Sequence, residues 1–213
     1  MGKIFAIGDI HGCFDKLHTL MALLEVNKEK DILIFLGDYI DRGPQSMDVV
    51  EYLIHLSQDG YHTIFLKGNH EAMLQDYLSG QDKTIFLLSG GTNTLDSYRQ
   101  HQHIDRFQNL IIPPSHIKFF QSLRLFYETD SYMFVHAGLV PKVPLNQQQE
   151  KDLLWIRDPF IHSTHDFGKT VIFGHTPFKE PFVTKNKIGI DTGAVYDNKL
   201  TCIELPAQKF YSV

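Results

Sequence analysis

The chain has 213 residues, 43% of them hydrophobic, and a formal net charge of −5 with histidine neutral. That length suffices for one core, burying roughly 70% of the surface its unfolded form exposes, while the lack of a basic cluster excludes a nonspecific nucleic-acid binder and no apolar run nears the roughly 20 residues of a membrane span. Two distant cysteines, Cys13 and Cys202, exclude a cysteine-rich zinc site and suit a reducing cytoplasm, whereas twelve histidines ask for a metal explanation.

The chain opens on KIFAIGDIHG (3–12), an apolar run of strand length that stops at a glycine and leads into ligand-type residues. Running straight into a polar motif, it does not fit a signal peptide, and Phe5 and Ala6 do not fit a myristoylation pattern. Leu17, Leu20, Met21 and Leu24 then recur at helical spacing. DILIFLGDYIDRG (31–43) repeats the apolar run, glycine and polar ending, and Val49, Val50, Leu53, Ile54 and Leu56 predict a second helix. The unit returns as TIFLKGNHE (63–71), SYMFVHAG (131–138) and TVIFGHT (170–176). Continuous apolar runs predict strands covered on both faces of a layered α/β sheet, and their alternation with helices predicts crossovers and a common strand direction. Residues 80–130 break this pattern, and 72–125 is expected to be a mostly helical, substrate-facing insertion over the sheet edge. RLFYETDSYMFVHAG predicts a hairpin turning at Thr129–Asp130–Ser131. KIGIDTG and KLTCIEL predict two more strands turning around Tyr196, Asp197 and Asn198. The whole span, 1–213, is expected to be a single domain.

In sheets of this kind ligands bind beyond the carboxyl ends of the strands, and every polar motif falls there. Asp9, Asp38 and Asp41 would repel one another in a partly dry cleft, a penalty that divalent cations remove. With imidazoles of His11, His136 and His175 and the amide of Asn69, the set mixes oxygen and nitrogen, which suits Mn, Fe or Zn rather than calcium. The ligands outnumber one tetrahedral ion, so two metals are the natural count, a device for phosphoryl displacement. Arg42 can grip phosphate oxygens. His70 is a candidate proton donor to a departing alkoxide, with Asp41 in reach to orient it.

GDIHG, GDYIDRG and GNHE in this order, followed by HAG (136–138) and GHT (174–176), resemble the signature of the phosphoprotein phosphatase family of calcineurin-like metallophosphoesterases. LLWIRD (153–158), GHTP and DTGAVYDNKLT resemble its short bacterial and phage branch. The resemblance implies a sandwich of two mixed β-sheets flanked by helices, in place of one parallel sheet. It implies Asp9 and His11 on a first metal, Asp38 bridging both, and Asn69, His136 and His175 on the second. It makes His70 the general acid oriented by Asp41, with Arg42, Arg157 and Asn69 toward the phosphate, and direct attack by metal-bound hydroxide. The ions implied are two divalent transition metals, Mn before Fe or Zn.

Taken singly, several of these residues have plainer readings. Asp38, Asp41 and Arg42 could form a turn with a local ion pair, Asp9 and His11 a helix N-cap, and Glu71 a charge favouring a helix N-terminus. His136 or His175 could be a satisfied core histidine, and Arg157 a surface ion pair. His101 and His103 are minor candidates for touching substrate. Lys67 stands where many relatives carry arginine, and the segment 80–130 matches least, which leaves the substrate open. A cytoplasmic serine/threonine protein phosphatase acting on a phosphorylated protein or peptide is expected first. Symmetrical hydrolysis of dinucleoside polyphosphates is the alternative, and a catalytically dead binding domain is a third. Neither nucleic acid nor membrane is an expected partner.

Overall fold

The computed structural model describes residues 2–104 and 111–213. In chain order, β1 (Ile4–Ile7), α1 (Phe14–Leu23), β2 (Ile32–Phe35), α2 (Ser46–Gln58) and β3 (His62–Phe65) make two consecutive βαβ units, and α3 (Asn69–Ser79) follows. Helices α4 (Thr84–Phe86), α5 (Thr92–Gln100) and α6 (Pro114–Ser122) occupy the segment that interrupts the strand pattern; its residues 105–110 lie outside the described ones. The second half contains β4 (Phe126–Glu128), β5 (Tyr132–Val135), α7 (Glu150–Trp155), α8 (Asp158–Ile161), β6 (Thr170–Phe173), β7 (Phe182–Val183), β8 (Lys187–Gly189), β9 (Thr201–Leu205) and β10 (Lys209–Ser212).

Two five-stranded sheets result, ordered β10-β9-β1-β2-β3 and β4-β5-β6-β8-β7. Within them β1, β2 and β3 are parallel neighbours, as are β5, β6 and β8, while β9, β10, β4 and β7 pair antiparallel. The single parallel sheet suggested by the strand–helix alternation is therefore corrected to two mixed sheets. The hairpin at Thr129–Ser131 is present as β4 and β5. The two tail strands also form, but β8 and β9 join different sheets instead of pairing across Tyr196–Asn198. The short β7 and the terminal β10 carry no apolar run of their own and were not expected.

Alternation along each strand explains the layers. Ala6, Ile34, Ile64, Phe134, Ile172, Ile188 and Ile203 face one another in a dry layer between the sheets. On the other face of the first sheet, Phe5, Ile7, Leu33 and Phe35 meet Leu17 and Leu20 of α1 and Val49, Val50 and Leu53 of α2. On the outer face of the second, Met133, Val135, Val171 and Phe173 meet Leu153, Phe160 and Ile161. Both faces of the central strands are apolar, which is why their sequences read as continuous rather than alternating runs. No described helix is long and apolar enough to cross a membrane.

Candidate active site

The carboxyl ends of β1, β2, β3, β5, β6 and β8 lead directly into Asp9, Asp38, Asn69, His136, His175 and Asp191, all of them buried. Each apolar strand stops, and the next few residues leave the sheet with polar side chains gathered at one edge. The backbone there is unusual: His11, Asp38, Asp41, Arg42 and His175 all have left-handed φ, between 47° and 71°. For residues with a Cβ this conformation costs roughly 1–2 kcal/mol each. Neighbouring loops hold it. Asp38 O accepts the N–H groups of Ile10 at 3.1 Å and His11 at 2.8 Å, and Tyr39 O accepts that of Gly12 at 2.8 Å.

Glu71 clamps the same loop from the first turn of α3. Its buried carboxylate accepts the backbone N–H groups of Asp38, Tyr39 and Gly68, each at 2.9 Å. The charge expected to serve a helix N-terminus therefore also fixes the β2 loop. Gly68 is required by this close approach, since a Cβ there would lie 2.1 Å from Asp38 Oδ1.

Asp38 sits at the centre. Its oxygens, with His11 and His70, form one group whose ligand atoms lie within 4.8 Å of one another; with His136 and His175 they form a second. His11 Nε2 is 3.4 Å from Asp38 Oδ2, and His136 Nε2 is 3.4 Å from Asp38 Oδ1. The other ring nitrogens are spoken for: His11 Nδ1 lies 2.8 Å from Ile40 O and His136 Nδ1 lies 2.8 Å from Leu36 O. A carbonyl only accepts, so each Nδ1 carries the proton and each neutral ring turns its Nε2 lone pair toward the carboxylate. Burial, the largest influence, lowers the pKa of His11 to about 3 and lowers those of His136 and His175 as well, so these rings are neutral. Burial raises the Asp38 carboxyl and the surrounding histidines, His136 and then His70, pull it below its ordinary range, a pull that needs a charged ring, which among them is His70.

Acceptors thus face acceptors. Asn69 Oδ1 adds to them, 3.0 Å from His136 Nε2, while it accepts from His175 Nδ1 at 2.9 Å, which leaves His175 Nε2 as an acceptor, buried with no hydrogen-bond partner among the described residues. An orphaned buried acceptor costs roughly 1–3 kcal/mol. This donor set fits divalent cations, which complete converging lone pairs and cancel the carboxylate charge. Asp9 belongs to neither three-residue group. Its oxygens accept the His175 backbone N–H at 3.2 and 3.0 Å, and its pKa is raised by burial first, then by Asp191 and Asp38.

His70 and Asp41 form a buried pair, with His70 Nδ1 2.6 Å from Asp41 Oδ2. This fixes the imidazole so that Nε2 looks toward Asp38 Oδ2, 4.0 Å away. Burial opposes a charge on His70, but Asp38 and then Asp41 outweigh it and raise the pKa. Arg42 is half-buried and its guanidinium Nη1 donates to His11 Nε2 at 2.6 Å, occupying in this structure the lone pair that a cation would take. Arg157 is exposed at the start of α8, with its charge close enough to disfavour protonation of His136 and His175.

Two groups had gone unnoticed in the sequence. Asp191 ends β8 as the other ligand-type residues end their strands, and burial foremost raises its pKa to about 6; the strand-end rule could have found it. Thr94 bonds Asp41 from the interrupting segment, and nothing in the sequence points to that contact. His101 and His103 are engaged elsewhere, His101 with Asp48 and the Ser97 carbonyl, His103 against the Tyr98 ring.

Comparison with known proteins agrees with this geometry. The bis(5'-nucleosyl)-tetraphosphatase PrpE [asymmetrical] of Anoxybacillus flavithermus is 30% identical, over 97% of this chain and 92% of its own. The serine/threonine-protein phosphatase 1 of Salmonella typhimurium is 29% identical, over 93% of this chain and 89% of its own. A crystal structure assigned as a diadenosine tetraphosphatase superposes with a TM-score of 0.77 at 24% identity, over 100% of this chain and 93% of its own. The calcineurin-like phosphoesterase profile matches residues 2–202. The chain belongs to the calcineurin-like phosphoesterase family.

Proposed function

We propose that this phosphoesterase hydrolyses dinucleoside polyphosphates with two divalent transition-metal ions, Mn before Fe or Zn. The observation that carries the reaction is the convergence of His11, Asp38, His136 and His175 lone pairs beside the His70–Asp41 pair. Asp9 and His11 would hold one ion, Asn69, His136 and His175 the other, with Asp38 between them. When bound, such ions neutralise phosphate charge and lower the pKa of coordinated water toward about 7. The protein's own residues do the rest. Asp41 Oδ2 holds the His70 Nδ1 proton, so the Nε2 proton is the one delivered to the departing oxygen. Arg42 and Arg157 orient phosphate oxygens by bidentate contacts, and Asn69 assists them. Residues 1–213 act as one domain, with 72–125 at the substrate side.

The choice of substrate departs from the order the motifs alone suggested. It is supported by the tetraphosphatase relatives and by two exposed aromatic rings at the site. Trp155 is 44% exposed and its ring lies 6.1 Å from that of His175. Tyr196 is 57% exposed and carries the Arg42 guanidinium over its face at 5.6 Å. Flat exposed rings beside a phosphate site suit stacking on nucleobases, a contact worth about 1–3 kcal/mol per base. The Salmonella relative keeps the protein phosphatase as the second reading. The free Cys13 and Cys202 suit a reducing cytoplasm.

The test is kcat/KM on diadenosine tetraphosphate, a phosphoserine and a phosphothreonine peptide, and p-nitrophenyl phosphate, with Mn, Fe, Zn and Mg in turn. Preference for the dinucleotide is expected, and preference for a phosphopeptide would overturn the substrate reading. Product analysis separates asymmetrical cleavage, to ATP and AMP, from the symmetrical cleavage that the sequence offers as the alternative.

A further inference from the structure

The interrupting segment reaches the site through four consecutive contacts. Thr94 Oγ1 donates to Asp41 Oδ1 at 2.6 Å and accepts the Asp41 N–H at 2.9 Å. Ser46 Oγ, 3.0 Å from Thr94 Oγ1, accepts the same N–H at 3.1 Å. Gly90 O accepts the Arg42 N–H at 3.1 Å, and the Asn93 side-chain amide donates to Arg42 O. Asp41, Ser46 and Thr94 are all buried. Gly90 has φ 104°, where a Cβ would lie 2.8 Å from Arg42 N. The two residues that hold the acid and the phosphate are thus set, in left-handed backbone, by a segment that contributes no metal ligand.

We infer that Thr94 is a positioning residue for the proton donor: its hydroxyl occupies the Asp41 oxygen that His70 does not use and so fixes the angle at which the His70 Nε2 proton is presented. A carboxylate has two competing oxygens, and a freely rotating one offers either to the imidazole. With Oδ1 held by Thr94 and the backbone N–H of Asp41 held by the same hydroxyl, only Oδ2 remains for His70 Nδ1. Removing the hydroxyl leaves Oδ1 without this donor and lets the carboxylate turn. The imidazole follows it, because His70 Nδ1 has no partner other than Asp41 among the described contacts.

This rests on the reading of His70 as the general acid, and the test separates the two. With Mn-loaded enzyme, phenyl phosphate needs protonation of its leaving group more than p-nitrophenyl phosphate does, since nitrophenolate is the weaker base. General acid catalysis is worth about 10²–10⁴-fold, so misalignment of its donor should cost roughly tenfold on phenyl phosphate and little on p-nitrophenyl phosphate in Thr94→Val. Thr94→Ser, which keeps the hydroxyl, should restore the ratio, and metal content should not change in either. Should Thr94→Val fail to fold, Thr94→Ala gives the same comparison. Equal losses on both substrates, or no loss at all, overturn the positioning role. His70→Asn is measured alongside: if it shows no leaving-group dependence, the general-acid reading itself fails.

Discussion

Substituting Glu71 by glutamine replaces one acceptor oxygen with an NH2 in a site that offers only donors. Oε2 accepts two N–H groups, from Asp38 and Gly68, and Oε1 accepts one, from Tyr39, all at 2.9 Å. The best rotamer keeps oxygen at the doubly bonded position and sets the NH2 against the Tyr39 N–H. One charge-assisted bond is lost and a buried donor is left unsatisfied, about 1.5–3 kcal/mol, while the other two bonds weaken on losing the charge. The sum is a destabilisation of about 2–4 kcal/mol, or roughly 4–16 °C in Tm for a chain of this size. Urea unfolding of metal-stripped protein at about pH 9, above the value to which Glu71 is pushed, measures it, and the same variant should bind Mn more weakly because the Asp38 loop is loosened. Burial and the Asp38 carboxylate push Glu71 up, to about 8, even with N–H donors favouring the anion, so the carboxylate prevails above that pH, and cations that neutralise Asp38 would extend its range downward. A protonated Glu71 would already place a donor against an N–H, and glutamine would then cost almost nothing. A change below about 1 kcal/mol would therefore refute the clamp.

Asp38→Asn should lose activity and drop metal content below one ion per chain by elemental analysis. Partners one step removed from the metal already cost about 10–100-fold when mutated, and Asp38 belongs to both ligand groups. Arg42→Ala should retain metal but lose roughly 10–100-fold in kcat/KM, the worth of a hydrogen bond between charged groups; loss of metal instead would reassign the residue. His116 gives a pH prediction remote from the site. Tyr98 Oη donates to its Nδ1 and its Nε2–H donates to Glu51, both at 2.7 Å, an arrangement that needs the neutral ring. Burial, the largest influence, lowers its pKa from 6.5. The unfolded chain binds this proton first on acidification, so stability is present above about pH 6.5 and lost below it. The urea midpoint should fall between pH 7.5 and 5.5, and His116→Gln should flatten that fall.

The ligand set was legible because strand-end residues follow from an elementary rule: a parallel strand buried on both faces can place polar groups only where it ends. Asp9, Asp38, Asn69, His136 and His175 were found that way, and Asp191 obeys the same rule although DTGAVYDNKLT, which it opens, carried no role for it. The sheet count was not legible from the residues themselves. β8 and β9 look alike as short apolar runs, and only the tertiary packing of Ile188 and Ile203 into the layer between the sheets decides that they face each other instead of pairing. Thr94 and Glu71 were missed as supports for a similar reason. Their contacts span 53 residues for Thr94 to Asp41 and 33 for Glu71 to the Asp38 N–H, and no local pattern encodes a partner that far away.

The backbone carries a further consequence. The five left-handed residues with side chains at the site, His11, Asp38, Asp41, Arg42 and His175, at roughly 1–2 kcal/mol each, would together cost about 5–10 kcal/mol, comparable to the whole stability of a typical domain. They persist because each sits beneath contacts from a different strand end or helix: Glu71 on Asp38, Thr94 on Asp41, Gly90 and Asn93 on Arg42, the Asp38 carbonyl on His11, and the Asp9 carboxylate on His175. The supports are hydrogen bonds to backbone, made by the protein's own groups. The directions of the Nε2 lone pairs on His11 and His136 are then properties of the folded chain rather than of a bound ion, since carbonyls of Ile40 and Leu36 already dictate them. A site fixed this way gives up little conformational entropy when a cation arrives, and its selectivity among divalent metals lies in the mix of oxygen and nitrogen it presents rather than in an ability to adjust around each one.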